Sequence, residues 1–323
     1  MEYTKLGRTD LDVSRICFGT WQFGGDWGAQ EVDENRAAMH RALELGINFF
    51  DTAQGYGWGE SERLLGETLR DELRSRREEL VIATKGGLRM DGDTLVRDAS
   101  PQWLRQGVDE SLEALGVDYI DLYQVHWPDP DMPSEETASA LEGLVDQGKI
   151  RHVGVSNYDE DEMEAFDATR PVETLQPPYH LFRRDIEDSV LPWCLEQDAG
   201  VLVYGPLAHG LLSGKLGPDS TFPDDDWRSG SDLFQGEAFE RNLGVIDQLG
   251  AFARERNWTV PQLAVGWTLA QPGVHVAIVG ARRPDQIEGT AAAADVRLSE
   301  DDLAEIDRIM EGAVKVGGPS PEA

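Results

Sequence analysis

Four side chains in this sequence have the chemistry of a proton-donating site: Asp51, Tyr56, Lys85 and His126. Asp51 opens the segment Asp-Thr-Ala-Gln-Gly-Tyr that carries Tyr56, while Lys85 and His126 each end an apolar, strand-like run. Hydride arriving at a carbonyl carbon leaves negative charge on the oxygen, which then needs a positioned acid. A phenol is a weak acid, with an ordinary pKa of about 10, and a neighbouring ammonium favours its phenolate. Lys85 can supply that ammonium, Asp51 can hold it charged and oriented, and His126 can hydrogen-bond the substrate oxygen. Taken singly, each has a plainer role. Asp51 fits a helix cap or an Asp-Thr turn, Tyr56 a rim aromatic, Lys85 a solvated strand end, and His126 a satisfied core histidine beside Trp127 and Pro128. Their joint placement argues for chemistry, because all four fall at the same end of three consecutive strand-like runs.

The elements that must position them alternate along the chain. Apolar, β-rich runs are expected to be strands at 15–19, 48–52, 80–85, 119–126, 150–156, 172–176, 200–204 and 274–280. Continuously apolar runs such as VIAT and GVLVY suit parallel strands buried on both faces. Amphipathic segments are expected to be helices at 34–46, 60–73, 101–116, 134–148, 160–169, 189–199 and 239–257, with further helices at 285–294 and 299–310. Gly46, Gly116 and Gly148 follow three of these segments as helix stops. Eight unbroken β–α alternations predict an α/β fold, a single (β/α)8 TIM barrel with an N-terminal hairpin, a long loop after the seventh strand and an extra C-terminal helix. The barrel is assigned to 1–316 and a flexible tail to 317–323. An open, doubly wound sheet would place G-x-G-x-x-G after an early strand. Here Gly19-Thr20-Trp21-Gln22-Phe23-Gly24-Gly25 follows the first strand, and the spacing does not match. The stretch 208–236 is long and rich in Gly, Pro, Asp and Ser, as functional lids or disordered segments are.

Composition narrows the function classes. The chain has 323 residues, 40% hydrophobic with nine Trp, enough for a large core. Its start lacks an apolar signal core, and no apolar run approaches the roughly 18 residues of a membrane span, so a cytoplasmic protein is expected. Cys17 and Cys194 form no short-range pair, and the six histidines fall in no recognised ligand spacing, so neither a disulfide framework nor a metal is expected. The formal net charge of −32 disfavours nucleic acid and anionic membranes as partners. Five lysines stand against 24 arginines. Acid spread through nearly every expected helix points to a surface adapted to high salt, where ions screen self-repulsion.

With these residues in view, the sequence resembles the aldo-keto reductases over nearly its whole length. The resemblance rests on Gly19-Thr20-Trp21, Asp51-Thr-Ala-Gln-Gly-Tyr56, Ala-Thr-Lys85, Gln-Val-His126-Trp-Pro and Gly154-Val-Ser156-Asn157. It continues through Gln176, Tyr204-Gly-Pro-Leu-Ala-His-Gly-Leu-Leu-Ser-Gly-Lys215 and Gly280-Ala-Arg282. It implies a catalytic tetrad of Asp51, Tyr56, Lys85 and His126 with Tyr56 as general acid. The implied substrate is a small-molecule carbonyl or alcohol, and the implied cofactor is NADP, with NAD as the other candidate. Ser156, Asn157 and Gln176 match groups that bind the nicotinamide carboxamide, and Tyr204 matches an aromatic that stacks on the ring. Gly205, Pro206, Leu207, Gly210 and Lys215 belong to a segment that lies over the pyrophosphate. Gly280, Arg282 and Gln286 match the adenosine end, where Arg282, with Arg283 beside it, can pair with a 2′-phosphate. Thr20, Trp21 and Asp51 are also assigned to the cofactor side, and Arg228 either reaches the phosphates or serves the surface. One departure stands out: the family often ends this segment with Glu-Asn, whereas Gly289-Thr290 follows Glu288 here. Trp21, Trp58 and Trp127 are expected to line the cleft.

Two other classes compete. A strand-end lysine can form a Schiff base, as in lyases and aldolases, but that chemistry needs a neutral amine and Asp51 favours a charged one. Some relatives of the family serve as redox-sensing partners of membrane channels; this chain shows no extra N-terminal docking domain, and its tetrad is intact.

Overall fold

The structure, a computed structural model, describes residues 1–25, 31–224 and 226–316. The chain opens with an antiparallel hairpin, β1 (Tyr3–Lys5) and β2 (Asp12–Ser14). Then come β3 (Ile16–Gly19), β4 (Phe49–Asp51), β5 (Val81–Gly86), a second hairpin β6 (Leu88–Asp91) and β7 (Thr94–Arg97), β8 (Ile120–Val125), β9 (Ile150–Ser156), β10 (Thr174–Gln176), β11 (Gly200–Val203) and β12 (Val274–Gly280). Strands β3, β4, β5, β8, β9, β10, β11 and β12 pair in parallel and close into a barrel. The helices are α1 (Val32–Glu44), α2 (Glu60–Thr68), α3 (Arg70–Ser75), α4 (Pro101–Leu115), α5 (Ser134–Asp146), α6 (Glu160–Asp167), α7 (Val190–Glu196), α8 (Gly236–Glu255), α9 (Val260–Ala270), α10 (Pro284–Ala291) and α11 (Glu300–Met310). This is the expected (β/α)8 barrel, and the residues from Gly317 lie outside those described.

Local chemistry sets the ends of these elements. In α4, the Ser100 hydroxyl accepts the Trp103 amide at 3.2 Å, Pro101 occupies the first turn, and Gly116 closes the helix at φ +66°. Within the barrel, alternate residues point inward. Cys17, Phe49, Val81, Ala83, Leu122 and Leu202 share one buried cluster, sealed below by Leu6, Leu11 and Val13 of the N-terminal segment. Their neighbours Phe18, Phe50, Ile82, Tyr123 and Val125 pack outward against the helices. The same period of two turns Asp51, Lys85, Gln124, Ser156 and Gln176 inward at the upper rim. Lys85 there is in register with Gln124, Gln124 with Gly154, and Gln176 with Ser156.

Three elements differ from expectation. Helix α9 occupies a stretch assigned no element, because Leu263–Leu269 is buried throughout and leaves no polar stripe to give a helical period. It is wedged among β12, α8, α10 and the turn at Ala292–Asp295. Its Thr259–Gln262 capping box, with Pro261, was the legible start signal. The β6–β7 hairpin turns at Gly92, which takes φ +61° after Asp91, so Asp-Gly was its signal. The helix expected over 60–73 breaks at Leu69 into α2 and α3. The long loop folds into short 3-10 turns at Ala208–Ser213, Trp227–Gly230 and Asp232–Phe234.

The lower end of the barrel carries a belt of ion pairs. Arg77 meets Asp121 at 2.7 Å, and Arg151 bridges Asp121 and Asp10 at 3.3 Å each. His152 lies between Asp10 (2.8 Å) and Glu173 (2.6 Å), and Arg170 also meets Glu173, at 2.8 Å. Asp10 belongs to the N-terminal segment, so the belt ties that plug to the barrel. Burial alone would lower the His152 pKa, but its bonds to Glu173 and Asp10 outweigh burial and raise it. A raised histidine contributes stability below its unfolded value of about 6.5 and loses that contribution as pH climbs through the folded value. Among the described residues, no helix is long and apolar enough to cross a membrane, and no three His, Cys, Asp or Glu side chains group to hold a metal.

His152→Gln is therefore expected to lower Tm by about 1–3 °C at pH 6 and by less at pH 9. Thermal melts at both values check this, and equal losses contradict it. Because the charge of −32 must be screened, Tm is also expected to rise markedly from dilute buffer to molar KCl. A flat response would show that the surface needs no salt.

Candidate active site

Lys85, on β5, is almost fully buried, at 1% exposure. Its ammonium donates to Asp51 Oδ1 at 2.7 Å, to the Thr52 carbonyl at 2.8 Å and to Tyr56 Oη at 3.2 Å. Those three acceptors match its three N–H bonds. Asp51 ends β4, and the chain then turns sharply: Gln54 donates its amide to the Lys85 carbonyl at 3.0 Å, and Tyr56 bonds back to Ala53 at 3.1 Å. That turn brings the Tyr56 ring over the inward side of β5. His126 follows β8, its amide bonded to the Gly86 carbonyl at 2.9 Å, and its ring stands edge-on to Tyr56 with centroids 5.7 Å apart. All four sequence-identified residues thus meet at one mouth.

A second group of predicted residues joins them. Gln176 donates to Asp51 Oδ2 at 2.9 Å, and the Ser156 hydroxyl donates to the Gln176 carbonyl at 2.8 Å. Asn157 adopts a left-handed conformation, φ +62°. Its amide donates to the His126 carbonyl at 2.9 Å and to Ser156 Oγ at 3.1 Å, and its oxygen accepts from Tyr204 Oη at 2.9 Å. Thr20 is buried, with its amide on the Asp51 carbonyl at 3.0 Å and its hydroxyl accepting from Ser61 at 2.7 Å. Sequence reasoning missed Gln124. Fully buried, it donates to Asp51 Oδ2 at 3.4 Å and accepts from Gln176 at 3.4 Å. Its signal was its place two residues before His126, on the same strand face. Room for this layer depends on Gly154, where a Cβ would strike Thr174 Oγ1 and lie 3.0 Å from the Gln124 side chain.

Trp21 lies at the mouth, its ring 6.3 Å from Tyr56 and 6.3 Å from Trp227 of the long loop. Trp227 and His209 were not foreseen, and a loop without periodicity carries no signal for them. His209 stands edge-on to both tryptophans, at 5.9 and 5.1 Å. Burial, with Arg183 and Arg228 nearby, pushes its pKa down to about 4. Trp58 is an exposed rim residue at φ +52°.

The segment after β11 has an unusual backbone. Gly205, Ala208, His209, Gly210 and Gly214 all have positive φ, and Leu207 O accepts the amides of Gly210 and Leu212 at 3.0 Å each. Pro206 lies within this turn, and Lys215 is exposed beyond it. Arg228 is not on the open surface: it grips Asp226 through Nε (2.9 Å) and Nη2 (2.6 Å) and donates to the His209 carbonyl at 3.3 Å. Burial, and then the Arg228 guanidinium, hold Arg282 below its ordinary range, with Asp226 as the opposing charge. Among the described residues, Arg228 alone grips Asp226 directly, and Arg282 senses both charges through space. Arg283 instead pairs with Asp285 at 3.0 Å. Gln286 Oε1 caps α10, accepting the amides of Arg282 (2.7 Å) and Arg283 (3.2 Å). Gly280 ends β12 where a Cβ would press on Gln22 at 2.7 Å. At the departure noted in the sequence, Glu288 is tied to Arg41 at 2.7 Å, and Thr290 bonds back to its own helix.

Comparison with known proteins agrees with this geometry. Residues 15–311 match the model of the aldo/keto reductase family. The chain is 40% identical over 316 residues to the aldo-keto reductase YhdN of Bacillus subtilis, covering 97% of this chain and 95% of that one. It is 33% identical to the NADH-specific methylglyoxal reductase of Escherichia coli, covering 94% and 96%. The solved structure of the glycerol dehydrogenase AKR11B4 from Gluconobacter oxydans superimposes with a TM-score of 0.89 at 38% identity, covering 98% of each chain.

Breaking a buried ion pair leaves a charge uncompensated, whereas replacing both partners removes the penalty. Asp51→Leu is therefore expected to lower unfolding free energy by about 3–5 kcal/mol, and Asp51→Leu with Lys85→Met is expected to regain most of it. Denaturant unfolding in molar KCl checks both. A single variant as stable as the parent, or a double no better than the single, contradicts the pairing.

Proposed function

The chain belongs to the aldo/keto reductase family, and from that membership and the geometry of its mouth we propose that it moves hydride between NADP(H) and the carbonyl or alcohol of a small aldehyde, ketone or sugar. The observation that carries this reading is the contact of the Lys85 ammonium with Asp51 and Tyr56 at 2.7 and 3.2 Å. The nicotinamide, when bound, supplies or accepts the hydride. Tyr56 gives its phenolic proton to the substrate oxygen, and Lys85 stabilises the phenolate that remains. Asp51 holds Lys85 in place through Oδ1 while Gln176 and Gln124 fix its other oxygen. His126, edge-on to Tyr56, directs the oxygen between the two rings.

Ser156, Asn157 and Gln176 suit the carboxamide, and Tyr204 suits the ring face. Asn157 spends its amide on neighbouring groups, so a carboxamide has to exchange with those bonds. Arg282 and Arg228, held close to one another, favour a cofactor bearing the extra 2′-phosphate. The Schiff-base alternative fares worse. Lys85 Nζ lies against Asp51 Oδ1, the Thr52 carbonyl and Tyr56 Oη. A carboxylate at that distance favours the ammonium, whereas attack on a carbonyl needs the neutral amine.

Tyr56→Phe is expected to lower NADPH consumption with a small aldehyde by about 10²–10⁴-fold or more, followed by the decay of cofactor absorbance. Unchanged turnover would remove Tyr56 as the acid. Borohydride added with the same aldehyde is expected to leave Lys85 unmodified, and covalent trapping there would favour the lyase.

A further inference from the structure

The β6–β7 hairpin rises from the rim just beyond Lys85, and its base belongs to the mouth. A Cβ at Gly55 would lie 3.5 Å from Leu88 and 3.9 Å from the His126 ring, which places Leu88 beside both. Directly across the hairpin from Leu88 is Arg97. Its half-buried guanidinium stacks on Trp127, the residue after His126, at 4.9 Å from the ring centroid. One contact, Nη1 to the Pro128 carbonyl at 3.4 Å, holds its direction.

In a chain of net charge −32, this cation stands apart from acid: among the described residues, no carboxylate oxygen lies within 4.0 Å of it. The adjacent acids are occupied. Asp98 pairs with Arg89 at 2.7 Å and accepts the Ser100 amide at 3.1 Å. Asp129 accepts the amides of Ala99 and Asp131, each at 2.9 Å. Glu162 feels Arg97 only through space and spends an oxygen on the Asp159 amide at 2.8 Å. Of the five guanidinium N–H groups, one has an acceptor among the described residues, and the Trp127 indole N–H has none. A planar cation laid on an indole keeps its orientation and is well suited to two-pronged binding of an oxyanion.

We propose that Arg97, backed by Trp127, anchors an anionic group, phosphate or carboxylate, at the far end of the carbonyl substrate. The inference rests on the reductase reading above and adds the class of substrate. The protein's overall field repels anions, so a substrate of this class must be selected at the site itself. Arg97 supplies the local charge that does so, acting on binding and not on proton or hydride transfer.

The test is steady-state kinetics with NADPH on length-matched pairs, glyceraldehyde 3-phosphate against glyceraldehyde and succinic semialdehyde against butanal, in the parent, Arg97→Gln and Arg97→Lys. The parent is expected to prefer the anionic member of each pair. Arg97→Gln should lose roughly 10- to 100-fold in kcat/KM on anionic aldehydes, the span of one charge-assisted hydrogen bond, mostly through KM. Neutral aldehydes should change less than twofold, and Arg97→Lys should fall between. Equal losses on neutral and anionic substrates would assign Arg97 a structural role and overturn the proposal. A parent that reduces neutral aldehydes with no anionic preference overturns it while leaving the reductase reading intact. A parent that reduces no aldehyde sinks both.

Discussion

An ammonium taken out of water must be surrounded by acceptors, because the cost of burying an unpaired charge exceeds what a core can offset. Lys85 meets that condition with one carboxylate, one carbonyl and one phenol oxygen. Each comes from a different place in the chain: the end of β4, the first residue after it, and the turn that follows. The arrangement therefore requires β4 and β5 in their observed register, Asp51 opposite Ala83, and the tight return of the chain at Gln54. A one-residue slip in either strand would turn an inward residue outward and leave the ammonium stranded. Barrel closure fixes that register, so the fold and the site impose the same condition.

From Asp51 the constraint spreads across the mouth. Its second oxygen takes Gln176 and Gln124; Ser156 holds the Gln176 carbonyl; Asn157 links Ser156, Tyr204 and the His126 carbonyl. Residues assigned to the nicotinamide and residues assigned to proton transfer thus share one hydrogen-bonded network. The bonds from Asp51 to Gln176 and Gln124 hold the proton-transfer side in place, while the Asn157 amide is the part of the network that has to change partners when a carboxamide enters.

Much of this was legible in the sequence, for reasons that also explain what was not. Parallel strands buried on both faces are written as continuous apolar runs, so the eight strands and their upper ends could be placed, and with them Asp51, Lys85 and His126. Gln124 obeys the same period of two but has no ionisable group to draw notice. Helix α9 was hidden by the absence of a polar stripe, since burial on nearly every side erases the helical period. Trp227 and His209 reach Trp21 through a long loop with no repeat, and only tertiary packing decides which of its residues turn inward. Arg228 is ambiguous in the sequence between the phosphates and the surface, because its grip on Asp226 is set by the fold of the long loop.

The central claim is that an ammonium held by Asp51 makes Tyr56 an effective acid. Single-turnover oxidation of NADPH by the Lys85→Met variant tests it most directly, since the phenol stays and the charge goes. The account predicts NADPH binding close to that of the parent and hydride transfer slowed by about 10²–10⁴-fold. Transfer within a few-fold of the parent, with binding intact, would contradict it.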